Sequence, residues 1–146
     1  MQEIAQIKGE LLSYQIKPSI IRIRLYKYLK DNKLHPTAEG IYRELAKEIP
    51  TLSLTSIYNN LRLFVAKGLI QEIKIDGTEI RYDGDNKRHA HFSCINCKRI
   101  LDLTIRCKSC LKLIAKHNHH IIQEQIYFIG ICEECLKKQE FVRKRL

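Results

Sequence analysis

No apolar run in this chain approaches the roughly 20 residues that a helix needs to cross a bilayer, so a membrane-spanning helix is excluded. The first stretch, MQEIAQIKGELLSYQ, has neither an apolar h-region nor a cleavage site, and the expectation is a cytoplasmic protein with no membrane partner. Internal repeats and low-complexity tracts are also missing. Acidic charge is scarce: 16 Asp and Glu face 26 Lys and Arg, for a formal balance of +10. Such a balance favours a polyanionic partner, and nucleic acid is the commonest polyanion in a cytoplasm; a merely soluble basic surface is the alternative. What the chain does have is apolar content, 45% of 146 residues. That supports a real core in one domain or two small ones and excludes disorder as the main state.

The 6 cysteines fall into CxxC pairs: Cys94/Cys97, Cys107/Cys110 and Cys132/Cys135. In a reducing compartment such pairs read as zinc ligands rather than a disulfide framework, because tetrahedral zinc takes four thiolates and each CxxC supplies two. A site of this kind lowers the formal balance to about +8, still strongly basic. Cys94/Cys97 could close a compact ribbon with Cys107/Cys110, or pair with Cys132/Cys135 across a longer span. The same stretch, HAHFSCINCKRILDL, holds a second, harder donor set. His89 and His91 stand two apart, so on an extended segment both imidazoles point to one face, and Asp102 follows shortly.

Taken in order, Ile4, Ile7, Leu11 and Leu12 recur at helical spacing within residues 1–15. Lys17 and Pro18 interrupt, and Ser19 can cap a second helix with Ile21, Leu25, Tyr28 and Leu29 inward and Arg22, Arg24, Lys27 and Lys30 in water. A third helix starts at His35-Pro36-Thr37, carries Ile41, Tyr42, Leu45 and Ile49 as its stripe, and is stopped by Pro50. Ser53 or Thr55 caps a fourth, with Ile57, Leu61 and Phe64 on one face, Tyr58, Asn59 and Arg62 on the other, and Gly68 as its stop. From Leu69 the period becomes two, with Asp76-Gly77 as a tight-turn signal between Ile73/Ile75 and Ile80/Tyr82. Helices followed by such a hairpin describe a winged helix. Beyond the polar segment Asp83 to Arg88, strand-like runs (HFSC, RILDL, IIQEQIYFI) surround a helical segment near residues 105–116, and a last helix follows Cys135. The fold class is therefore α+β: a winged-helix DNA-binding domain over 1–83, a hinge over 84–88, and a small α/β module over 89–146.

The segments HPTAEGIYREL, LTSIYNNLRLFVAKGLI, EIRYD, HAHFSCINCKRILDL and GICEEC, in that order and spacing, resemble the ferric-uptake-regulator family of bacterial metal-dependent repressors. The likeness runs from about Lys17 to Lys138. YNNL and Asp102 look most like the peroxide-sensing branch, since iron-uptake members usually carry YRNL and a Glu at that place. The resemblance implies a structural zinc on Cys94, Cys97, Cys132 and Cys135, in a domain that also makes the homodimer. It further implies a regulatory Fe2+ or Mn2+ on His35, Asp83, His89, His91 and Asp102, a sulfur-free set whose carboxylates balance a divalent ion. His35 and His89 are implied as the targets of peroxide, becoming 2-oxo-histidine and releasing the metal and the DNA. Such an event happens once per site, so the chain senses rather than turns over and is not an enzyme; metal ion and peroxide are its only small-molecule partners.

On double-stranded operator DNA, the fourth helix would enter the major groove with Tyr58 on thymine methyls, Asn59 and Asn60 toward base edges or phosphate, and Arg62 on phosphate. Lys17 is implied to reach the minor groove of an A/T-rich flank, and Arg22 and Lys74 are phosphate candidates. Pro18, Ile20, Ile21, Glu124 and the pair Cys107/Cys110 depart from the family pattern. His117, His119 and His120 read as a solvated loop rather than an auxiliary metal site. Three other readings stand beside this one. An iron- or zinc-uptake regulator would answer to metal level alone, and a thiol-redox protein would act through Cys107 and Cys110. A zinc hydrolase lacks its general base, because no Glu accompanies His89 and His91 in a metallohydrolase spacing.

Overall fold

A computed structural model describes residues 2–75, 79–105, 117–120 and 124–143, the last five by backbone alone. The chain divides into two compact units, Met1–Lys87 and Arg88–Leu146. Among the described residues, no helix is long and apolar enough to cross a membrane.

The first unit opens with α1 (Gln2–Ser13), α2 (Ile20–Asp31), α3 (Ala38–Leu45) and α4 (Leu54–Ala66). Three of the four starts are capped as polar N-caps should be. Ser19 Oγ accepts from the Arg22 N–H at 3.3 Å, Thr37 Oγ1 from Gly40 at 3.1 Å, and Ser53 Oγ from Ser56 at 3.1 Å. Ser53, not Thr55, is thus the cap of α4. That helix stops at Gly68, whose φ of +70° is the left-handed turn that glycine adopts without strain. Helix α3 ends at Leu45, before Pro50, and residues 46–48 continue as turns.

Ile7 and Leu11 of α1 meet Leu25 and Leu29 of α2, Ile41 and Leu45 of α3, and Ile57, Leu61 and Phe64 of α4 in one buried cluster. Leu12 and Ile4 stay 60% and 43% exposed, because the buried stripe of α1 is narrower than its apolar content. On α2 the stripe takes in Tyr26, which packs edge-to-face on Phe64 at 6.1 Å between ring centres. Its hydroxyl donates to Glu10 at 2.8 Å, and Lys30 donates to the same carboxylate, so the buried ring keeps its polar tip satisfied.

After α4, β1 (Gln71–Ile73) and β2 (Arg81–Asp83) pair antiparallel, with Gln71 opposite Asp83 and Ile73 opposite Arg81. This is the wing; its Asp76-Gly77 turn lies outside the described residues. The segment before α3 lies against β2, since Tyr82 N–H donates to Pro36 O at 3.0 Å and Thr37 bridges Arg81. Helix α2 closes on Gly84 so tightly that a Cβ there would lie 2.6 Å from the Leu29 carbonyl oxygen. Gly84→Ala should therefore destabilise this unit by roughly 1–3 kcal/mol, by the cost of overpacking a contact that backbone cannot relieve. A thermal melt that is unchanged would show that this approach is not tight in solution.

In the second unit, β3 (Ala90–Cys94) is the central strand, antiparallel to β4 (Ile100–Leu103) and parallel to β5 (Tyr127–Gly130). Helix α5 spans Glu133–Arg143. It starts two residues before Cys135 rather than after it, with Glu133 and Glu134 in the first turn, where acidic side chains suit the positive helix end. The helical segment expected near 105–116 and the thiols Cys107 and Cys110 lie outside the described residues.

Candidate metal centres and nucleic-acid interface

The sulfur site follows from strand register. Because β3 and β5 run parallel, with Cys94 beside Gly130, both strands leave the sheet at the same end. Ile95 N–H donates to Gly130 O at 2.8 Å, and each chain then enters its CxxC. Cys94 closes β3 and Cys97 follows in a tight turn, where Lys98 takes a φ of +60° and its N–H reaches Cys94 O at 2.9 Å. Cys132 precedes α5 and Cys135 lies in its first turn. The four sulfurs lie within 4.8 Å of one another, and Cys97 and Cys132 Sγ are 3.7 Å apart. A tetrahedral zinc with bonds of about 2.3 Å sets its sulfurs roughly 3.8 Å apart, so the donor set fits that ion. Of the two pairings open to Cys94/Cys97, this is the one seen among the described residues.

The surroundings favour thiolates at two of the four positions. Backbone N–H groups of Cys97 and Cys132 hold the Cys94 thiol down to about 6. The Cys132 N–H lies 3.3 Å from Cys94 Sγ. Arg99, whose Nε is 3.4 Å from Cys97 Sγ, lowers that thiol as well. Cys135 is pushed up to about 12, chiefly by its hydrogen bond with Cys132 and then by burial. A dication would stabilise all four anions, Cys135 included.

The harder donors are laid out separately in each unit. In the first, His35 is 1% exposed and has a φ of +51°, uncommon for a residue with a Cβ. Arg81 holds it there by donating to its carbonyl at 3.3 Å, while the Pro36 to Tyr82 pairing aligns the segment with β2. Asp83, at the end of β2, thereby faces it: Asp83 Oδ2 is 3.8 Å from His35 Nε2, and Oδ1 accepts from Asp85 N–H at 2.8 Å.

In the second unit His91 lies on β3 directly opposite Asp102 on β4, and His89 stands two residues before on the same face. The Nε2 atoms of His89 and His91 are 3.0 Å apart, and Asp102 Oδ1 is 3.5 Å and 3.6 Å from them. Donors at right angles on a metal with bonds of about 2.1 Å sit roughly 3.0 Å apart, so this triad suits adjacent positions on one ion. Beside it, Arg88 grips Glu124 through two bonds of 2.6 Å and 2.8 Å, which commits the Glu124 carboxylate to an ion pair. His117, His119 and His120 are exposed, with the first two rings stacked at 5.8 Å.

On the DNA-facing candidates the first unit gives a mixed answer. Lys17, Asn59 and Arg62 are exposed. Tyr58 is half-buried, and its hydroxyl donates to Glu39 of α3, which holds the Glu39 carboxyl below its ordinary range. Asn60, expected toward base edges or phosphate, makes hydrogen bonds within the unit. Its Oδ1 accepts from Arg22 Nε at 2.9 Å and its Nδ2 donates to Ser56 O at 2.8 Å. Arg22, expected on phosphate, is turned inward by the same bond, and Lys74 is paired with Glu72 at 2.5 Å.

The model of the Ferric uptake regulator family matches residues 13–129 of this chain. The chain belongs to the ferric uptake regulator family. Among relatives of this family, it is 34% identical over 124 residues to the peroxide operon regulator of Bacillus subtilis (strain 168), covering 81% of this chain and 83% of that protein. It is 27% identical to the peroxide-responsive repressor PerR of Staphylococcus aureus (strain USA300), covering 90% of this chain and 99% of that one. Its fold is similar to the Helicobacter pylori ferric uptake regulator Fur, with a TM-score of 0.72 at 18% identity and 92% of both chains covered. It also matches a Campylobacter jejuni peroxide stress regulator at TM-score 0.68 and 26% identity, covering 90% of this chain and 98% of that one. The winged-helix unit followed by a small α/β unit is thus the ferric uptake regulator architecture, and the chain is a metal-responsive transcription regulator of the peroxide-regulator and ferric-uptake type.

Proposed function

We propose that this protein is a homodimeric repressor that binds palindromic operator DNA when loaded with Fe2+ or Mn2+, and leaves it when peroxide oxidises ligand histidines. The observation that carries the reading is the donor inventory. One unit offers the His35/Asp83 pair, and the other offers the close triad of His89, His91 and Asp102, all nitrogen and oxygen. Three neutral imidazoles and two carboxylates suit a divalent iron or manganese ion, while the separate thiolate set suits zinc in a structural role. If a single ion draws on both groups, filling the site fixes the placement of the winged helix, and metal affinity becomes DNA affinity by linkage.

The sheet of the second unit supplies a surface for the second copy. Phe92 lies between Leu101 and Phe128 in register, and Leu101, Leu103 and Phe128, on one face of the sheet, are 40%, 39% and 49% exposed. Apolar side chains left in water on an open sheet mark an interaction face. Zinc would hold that face in shape by fastening α5 to the end of β3.

Iron(II) bound by these donors would activate hydrogen peroxide beside them, so that overall one imidazole and one peroxide give one 2-oxo-imidazole and one water. The chain's part is to present imidazole carbons within reach: the C2–H of His35 or His89 is exchanged for a carbonyl, a net gain of one oxygen. An oxidised ring is a weaker donor, and the metal is lost with it. Protein loaded with Fe2+ and exposed to peroxide should gain one oxygen on the peptide that holds His35 or His89, by mass spectrometry, and should lose DNA binding. Unchanged masses with DNA binding retained would favour an iron- or zinc-uptake regulator that answers to metal level alone.

A further inference from the structure

The least expected feature of the first unit is where the guanidinium of Arg22 goes. Its backbone N–H belongs to the Ser19 cap at the start of α2, and its side chain turns back and across. One terminal nitrogen donates to the carbonyl of Lys17 at 2.8 Å, and Nε donates to Asn60 Oδ1 at 2.9 Å. Asn60 in turn donates from Nδ2 to the Ser56 carbonyl one turn earlier on α4 at 2.8 Å. This orientation of the amide is the only one that serves both neighbours, since the oxygen must face the donor and the nitrogen the carbonyl. Lys17 itself is exposed and is joined to the α2 cap through Pro18, whose ring removes backbone freedom between them.

We infer that Arg22 and Asn60 are positioning residues for DNA recognition rather than contacts of their own: together they set the Lys17 segment at a constant offset from α4. The planar fork of arginine can serve a carbonyl and an amide oxygen at once along two directions, which a lysine ammonium on a flexible stem cannot hold in one geometry. Two basic probes of one duplex, Lys17 and the exposed face of α4, are useful together only if their separation is constant. The inference rests on the proposed DNA contact of Lys17 and α4, and adds how those two elements are kept in register.

The test uses the full chain loaded with Mn2+ and a duplex enriched by the unaltered protein from a random library. Binding is read as a function of salt, and thermal melts report folding. Lys17→Ala, Arg22→Ala and Arg22→Lys should each weaken binding by roughly tenfold, the scale of one lost charge-assisted contact. Each should also flatten the salt dependence by about one ion. All should erase the same base preference at the flanks of the selected site, a change that a general loss of stability would not produce. The double variant Lys17→Ala with Arg22→Ala should be no weaker than either alone, because both remove one contact.

If Arg22→Lys binds as tightly as the unaltered protein, or the double variant flattens the salt dependence by about two ions, Arg22 touches phosphate itself and the inference fails. If Lys17→Ala has no effect while the protein still selects a duplex, the contact that Arg22 serves does not exist; the inference fails and DNA binding stands. If no duplex is enriched at all, the DNA reading fails and takes the inference with it.

Discussion

Cys94→Ala protein should purify without zinc, lose the slow amide exchange of β3, β4 and β5, and sediment as a monomer. Structural zinc sites of this type contribute about 10–16 kcal/mol of apparent binding energy, which a metal-stabilised unit draws on for folding itself. The second unit is short, and its sheet leaves Leu101, Leu103, Phe128 and Ile129 in water, so its own core cannot replace a loss of that size. Cys94 is the most telling of the four positions. It is 0% exposed, ends the central strand, and its sulfur accepts the Cys132 N–H, so alanine there leaves both a cavity and an orphaned donor. The first unit has a separate core of Leu11, Leu25, Ile41, Ile57, Leu61 and Phe64 and should melt as before. One zinc per chain retained in Cys94→Ala, with an unchanged sedimentation profile, would contradict the structural role.

Asp102→Ala should weaken Mn2+ binding by at least about a hundredfold while leaving zinc content unchanged. Removal of a mere outer-shell partner already costs 10- to 100-fold in such sites, and Asp102 offers a ligand oxygen next to both imidazoles. His35→Ala, in the other unit, should have the same effect. The informative measurement is the pair. If one ion uses donors from both units, the double variant binds Mn2+ no more weakly than either single one, because each has already lost the site. Two independent half-sites would instead give one class of binding remaining in each single variant and none in the double. Titration calorimetry distinguishes these outcomes without any DNA present, so it tests the shared site separately from repression.

How much of this was legible beforehand differs from element to element. The helices of the first unit were readable because their signals are local: a polar cap three residues before the N–H it accepts, a stripe at 3.6-residue spacing, a glycine where the backbone turns left-handed. Ser19, Thr37 and Gly68 each do what their position implies. On α2 the expected stripe holds, with Leu25 and Leu29 buried and Ile21 and Tyr28 packed against the core, but Tyr26 is buried more deeply than Tyr28, because two aromatic residues two apart cannot be ranked until a partner arrives to cover one. For Asn60 and Arg22 the sequence leaves more than one role open, for a related reason. A polar residue on the rim of a recognition helix looks the same in sequence whether it faces a groove or a neighbouring helix, and only the approach of α2 to α4 decides it.

By itself the amino-acid order determined the periodic elements, the three CxxC pairs, and the shared face of His89 and His91, since all of these depend on neighbours within a few residues along the chain. Tertiary structure alone decided which distant thiols meet and which carboxylate faces the histidines. Those outcomes follow from the parallel register of β3 with β5 and the antiparallel register of β3 with β4, where a shift of one residue would put His91 and Asp102 on opposite faces.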